Sequence, residues 1–236
     1  MAGECPVRTG VGKGEKLVAV VSFPLKRVKA LLAKARRAAE PTEVEEGLGL
    51  GLLDGLKVLG VFSPLRLRKG WRMITQQYSD GYNSSGFTWA VPVDGPRPDL
   101  FLTKWPDEST RPEGAVATMA VVEGDGTPWS YVCASLLGRE LAELGAEWHG
   151  CDWSAHELHG GAELRGGEWT VVGPRPGSYA PSVSLGEEGV TVTFWTYSGL
   201  GQERIVCHTD FFRAGGGYEF EATARVIAHG PGGYVF

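Results

Sequence analysis

The sequence predicts an α+β fold: a mostly antiparallel, strongly curved or closed, β-barrel-like sheet with two main helices. Three observations predict it. From residue 60 onward, short runs rich in Val, Thr and aromatic residues recur, which is the composition of strands. Turn signals separate these runs and hold much of the chain's 35 Gly and 14 Pro. The order of elements is strand, helix, several strands, helix, several strands, without the regular β–α alternation of a doubly wound parallel sheet.

Taken in order, residues 1–15 read as a flexible lead-in and residues 16–236 as a single domain. Residues 16–23 (KLVAVVSF) form a β-branched apolar run, hence a strand. Pro24 opens a segment with Leu25, Val28, Leu31, Leu32 and Ala35 at helical spacing. Proline suits a first helical turn, and Pro41 ends the run. The opposite face carries Lys26, Lys29, Lys34, Arg36 and Arg37, which reads as a solvated face. Gly47, Gly49 and Gly51 do not make a phosphate loop, because they lead into an apolar run rather than from a strand into a helix. That run, residues 56–62, reads as a strand. Further strands are expected at 71–78, 87–93, 116–123, 130–134, 168–172, 190–197, 204–212 and 218–228. A second helix is expected at 135–148, where Leu136, Leu137, Leu141 and Leu144 share a face. The turns at 186–189 (GEEG) and 215–217 (GGG) lie between hairpin partners. Curvature or closure would protect the edges of so many strands and leave an interior suited to a small molecule.

Charge and cysteines narrow the function. Net charge is −5, which gives no general affinity for nucleic acid. Residues 1–72 hold 14 of the 23 Lys+Arg but only 7 of the 28 Asp+Glu. The last lysine is Lys104, so no mechanism can draw a lysine from the second half. Cys5, Cys133, Cys151 and Cys207 are widely spaced and read as reduced thiols. The first residues contain no apolar stretch of signal or membrane length. A cytoplasmic protein with no membrane or nucleic-acid partner is expected, and a homo-oligomer is compatible with the sequence.

The densest set of potential ligands is His149, Cys151, His156 and His159. Zinc takes such N and S donors, and His156 and His159 could share one face of a turn. The spacing fits no zinc fold and is not HExxH, so it reads as a polar loop; no cofactor is predicted, with zinc as the alternative. In Cys207-His208-Thr209-Asp210, strand alternation turns Cys207 and His208 apart, which makes a poor nucleophilic dyad. The same alternation places His208 with Asp210 and Arg204, and a histidine there suits acid–base work near neutral pH.

Three segments in order resemble the acetoacetate-decarboxylase-like superfamily. They are VSFPLKRVKALL at 21–32, GYNSSGFTWAVPV at 81–93, and LGREL at 137–141 followed by Glu143-Leu144-Gly145. The resemblance covers roughly residues 17–150. It implies a curved antiparallel barrel around a small-molecule pocket, and it matches Arg139 and Glu140 to the family's helix motif. The family's Schiff-base lysine would follow that motif, but the stretch here reads AELGAEWHG and has none. The resemblance therefore implies a pocket without imine chemistry. Taking the resemblance together with the reading of the residues, Arg139, Glu140, His149 and His208 are candidate catalytic residues. Tyr82, Trp148 and Arg204 are candidate ligand-binding residues. The expected function is acid–base and electrostatic catalysis on a keto- or polyketide-like organic molecule, of lyase/decarboxylase or isomerase/cyclase type. A non-catalytic small-molecule binding protein, a metal-dependent hydrolase using His149–His159, and an interaction module built on the basic helix are the alternatives.

Overall fold

A computed structural model describes residues 19–44, 51–80, 83–105, 109–147, 151–161 and 168–235. The chain forms two compact units. One comprises Met1–Lys29, Ala155–Gly216 and Phe220–Phe236, the other Ala30–Ser154 and Gly217–Glu219. The expected lead-in, residues 16–18, Gly47 and Gly49 lie outside the described residues.

Strand β1 (Ala19–Ser22) leads into helix α1 (Leu25–Ala39), as the proline and the apolar spacing require. Val28, Leu32 and Ala35 are its buried stripe, a repeat of four and three residues. Arg36 departs from the expected solvated face and pairs with Glu140. Strands β2 (Thr42–Val44) and β3 (Gly51–Leu52) form a small ladder. The run at 56–62, expected as a strand, is instead helix α2 (Gly55–Val61). Asp54 caps it by accepting from the Leu56 N–H at 2.9 Å. Val58, Leu59 and Phe62 are buried, a helical spacing that outweighs the β-branched composition.

Strand β4 (Leu65–Leu67) is followed by the hairpin of β5 (Trp71–Ser79) and β6 (Ser84–Pro92), then by β7 (Phe101–Leu102). The expected strand at 116–123 is broken: β8 (Val116–Ala117) and β9 (Val122–Gly124) flank a 3-10 turn at Thr118–Val121. That turn buries Thr118, whose hydroxyl donates to the Thr88 carbonyl at 3.1 Å. Helix α3 (Pro128–Ala142) replaces both the strand expected at 130–134 and the first part of the expected helix. Thr127 caps it and Pro128 supplies the first turn. Its burial nearly all round hides the amphipathic signal that would have marked its start. Strand β10 (Leu144–Glu147) completes a five-stranded sheet ordered β10-β6-β5-β7, with β8 also on β6.

The other unit is built on strands β11 (His156–Leu158), β12 (Thr170–Val171), β13 (Ser182–Leu185), β14 (Gly189–Ser198), β15 (Arg204–Arg213) and β16 (Glu221–His229). They join β1 in a seven-stranded sheet ordered β1-β13-β14-β15-β16-β12, with β11 on β14. The GEEG and GGG turns close the β13–β14 and β15–β16 hairpins as expected. Gly189 is required where it stands, because a Cβ there would strike the Phe212 carbonyl of the paired strand. One sheet face carries an apolar cluster of Trp195, Ile205, Cys207, Ile227 and Ala228, with Trp169 and Tyr179 against it. Among the described residues, three helices, 40% strand and an antiparallel sheet curled into a half-barrel make an α+β fold with strong sheet curvature. No described helix is long and apolar enough to cross a membrane.

Candidate functional site

Strands β14 and β15 pair without interruption from Gly189↔Arg213 to Ser198↔Arg204. Side chains alternate along each strand, so Phe194, Thr196 and Ser198 share a face with Arg204, His208 and Asp210. Strand β11 adds His156, which pairs with Ser198, to the same face. This face sets the polar groups among buried Val192, Phe194, Val206 and Phe212. Its polar groups are deeply buried: Thr196, Ser198 and Asp210 are 0% exposed, His156 3% and His208 6%. Burying this many polar groups is costly unless they are bonded to one another.

Thr196 bonds the two histidines. Its Oγ1 lies 2.7 Å from Nε2 of His208 and 2.6 Å from Nδ1 of His156. The two imidazoles stand edge to face, with ring centroids 5.4 Å apart. Phe194, directly opposite His208, stacks on its ring at 5.0 Å and 14°, which fixes the ring plane. On the other side, β16 places Ala224 opposite His208 and Ala222 opposite Asp210. Both alanines are exposed.

Arg139 and Glu140 lie in the other unit, on α3, and anchor a different construction. Glu140 Oε1 accepts from Trp153 Nε1 at 2.6 Å and from Arg36 Nε at 3.4 Å. Burial pushes its carboxyl above the ordinary value, against the lowering effects of Arg36 and Trp153. Arg139 donates to the Ser135 carbonyl at 3.1 Å, and its guanidinium lies 5.4 Å from the Trp153 ring centroid. Glu143 accepts from the backbone N–H groups of Asp152, Trp153 and Ser154 at 2.7–3.0 Å. Helix α3 thus grips the segment that follows β10 through two carboxylates and one tryptophan.

Tyr82, Trp148 and His149 lie outside the described residues. The remaining metal candidates do not converge as a turn would have made them. His156 begins a strand, so His156 and His159 fall on opposite faces rather than one. His156 bonds Thr196, whereas His159 packs edge-on against Tyr179 at 5.0 Å, and Tyr179 packs on Trp195 of the apolar face. The Cys151 thiol donates to the Ala146 carbonyl at 3.2 Å. Among the described residues, no three His, Cys, Asp or Glu side chains form a group that could hold a metal ion.

Sequence reasoning placed His208, Asp210 and Arg204 on a common face but missed Thr196. The signal was present: the five-residue turn between β14 and β15 sets a register in which even positions of both strands face together. No protein-family model, no curated protein and no solved structure matches this chain.

Proposed function

We propose that this chain is a small-molecule enzyme that moves protons on a keto- or polyketide-like organic substrate, with His208 and His156 as its acid–base groups. The observation that carries the reading is the pair of buried imidazoles joined by one threonine hydroxyl on one face of a curled sheet. Histidine exchanges a proton near neutral pH, and stacking on Phe194 holds His208 in one orientation. Arg204 has the same parity and offers a planar cation to an anionic group. The resemblance to acetoacetate-decarboxylase-like proteins supports the substrate class. The confinement of lysine to the first 104 residues favours acid–base and electrostatic catalysis over an imine. Arg139 and Glu140 are better understood as scaffold, because their polar atoms are engaged around Trp153.

The test is proton exchange. The protein is incubated in D2O with a panel of small ketones and 1,3-diketones, and loss of α-protons is followed by 1H NMR. Exchange above the buffer rate is expected on at least one compound, falling by about 100-fold or more in His208→Gln. Exchange that is absent throughout, or unaffected by His208→Gln, would reject the reading. If native mass spectrometry then finds a small molecule retained and released unaltered, the chain is a binding protein.

A further inference from the structure

A threonine hydroxyl has one hydrogen to give and two lone pairs to receive with. Among the described residues, the partners of the Thr196 hydroxyl are Nδ1 of His156 and Nε2 of His208. Thr196 is 0% exposed, so its hydrogen cannot be left to water. If both rings presented N–H groups to it, that hydrogen would be buried without an acceptor, which is costly. If both presented bare nitrogens, only one could be satisfied. The arrangement in which every group is satisfied has one ring donating to the hydroxyl and the other accepting from it.

We infer that Thr196 couples the two histidines into a single proton relay in which their bridging nitrogens always hold opposite protonation. In one setting, Nδ1–H of His156 donates to Oγ1, the hydroxyl donates to Nε2 of His208, and the single N–H hydrogen of the neutral His208 ring sits on its Nδ1. In the other, Nε2–H of His208 donates to Oγ1, the hydroxyl donates to Nδ1 of His156, and His156 carries its hydrogen on Nε2. Conversion between them takes up one proton at Nε2 of His156. The bridging hydrogen of His156 passes to Oγ1, the hydroxyl hydrogen passes to His208, and one proton leaves from Nδ1 of His208. Protons balance, and no charge remains on the pair. Phe194 keeps the His208 ring in the plane the relay needs. Under the proposed function, which this inference rests on for its use, the relay resets the acid–base group after each turnover. Thr196 is a positioning residue, acting through the two imidazoles.

Its protonation pattern is readable without a substrate. Long-range 1H–15N correlation spectra of the full chain, at a pH where both rings are neutral, report which nitrogen of each ring is protonated. Opposite states at the two bridging nitrogens are expected, or averaged shifts at both if the settings interconvert quickly. A fixed common state at the two nitrogens, both protonated or both bare, would overturn the relay. Thr196→Val should abolish the correlation between the rings and Thr196→Ser should restore it; a pattern unchanged in Thr196→Val would also overturn it. If Thr196→Val does not fold, the wild-type and Thr196→Ser spectra still decide. A correct pattern in a protein that exchanges no α-protons would leave the relay standing and reject the proposed function instead.

Discussion

Glu140 shows how one buried carboxylate ties pH to stability. Burial is the largest influence on it and raises its pKa, with Arg36 and Trp153 opposing. A carboxyl raised in the folded state contributes stability that is fully present below its ordinary pKa and is lost as pH rises through the raised value. The melting temperature should therefore decline as pH increases upward from the ordinary glutamate range. Glu140→Gln, which still offers an oxygen to Trp153 Nε1, should flatten that decline; an unchanged slope in a series of melts at stepped pH would contradict it. Tyr197 shows a similar influence at the surface. Its hydroxyl donates to Glu203 Oε1 at 2.8 Å, and that bond, with burial and the negative charge nearby, pushes its pKa up to about 12. Glu203→Gln should bring one phenol back toward about 10, read as an earlier step in the alkaline ultraviolet titration. Neither pairing was legible in the sequence. Tyr197 and Glu203 lie across a turn whose course fixes their distance, and Glu140 meets an arginine 104 positions away.

Among the elements, α3 depends most visibly on its first turn. The Thr127 side chain accepts from the Ser130 N–H and donates to Asp125 at 2.7 Å. Ser130 Oγ donates to the Thr127 carbonyl, so the Tyr218 hydroxyl donates to Ser130 at 2.6 Å while accepting from the Gly126 N–H. Thr127→Ala should cost about 1 kcal/mol in urea unfolding, and Thr127→Ser nearly nothing. Gly124 lies under the Tyr218 ring, where an added Cβ would come within 2.5 Å of it. Gly124→Ala should destabilise by about 1–3 kcal/mol in the same assay. Elements with a clean period were legible: α1, β5, β14 and β15 lie close to where their patterns put them. Helix α2 and the start of α3 were not. A short apolar run suits a buried helix as well as a strand; here the helices are marked by the caps at Asp54 and Thr127 and by the burial pattern.

At the scale of the molecule, Cys133, Cys151 and Cys207 are the described cysteines, and none of them is joined in a disulfide with another. They differ in burial. Cys133 is 0% exposed and Cys207 9%, and burial raises the Cys207 thiol pKa, whereas Cys151 is partly exposed. A thiol reagent applied to the native protein should modify Cys151 well before Cys133 and Cys207, which should react fully only on unfolding; peptide mass mapping over time checks this. Rapid native labelling of Cys133 would contradict the packing of α3. What the sequence by itself determined was the class of fold, the hairpins at GEEG and GGG, the confinement of lysine to the first 104 residues, and the face that His208 shares with Asp210. These follow from composition and from periodicity along one strand, which are local. Only the tertiary structure decided that His156 joins His208 through Thr196, that α3 holds Trp153 between Glu140 and Glu143, and that His156 and His159 part company. Alternation assigns a residue to a face but does not name the strand beside it. That neighbour is chosen by the burial and backbone pairing of the whole sheet, which brings His156 to a threonine 40 residues away.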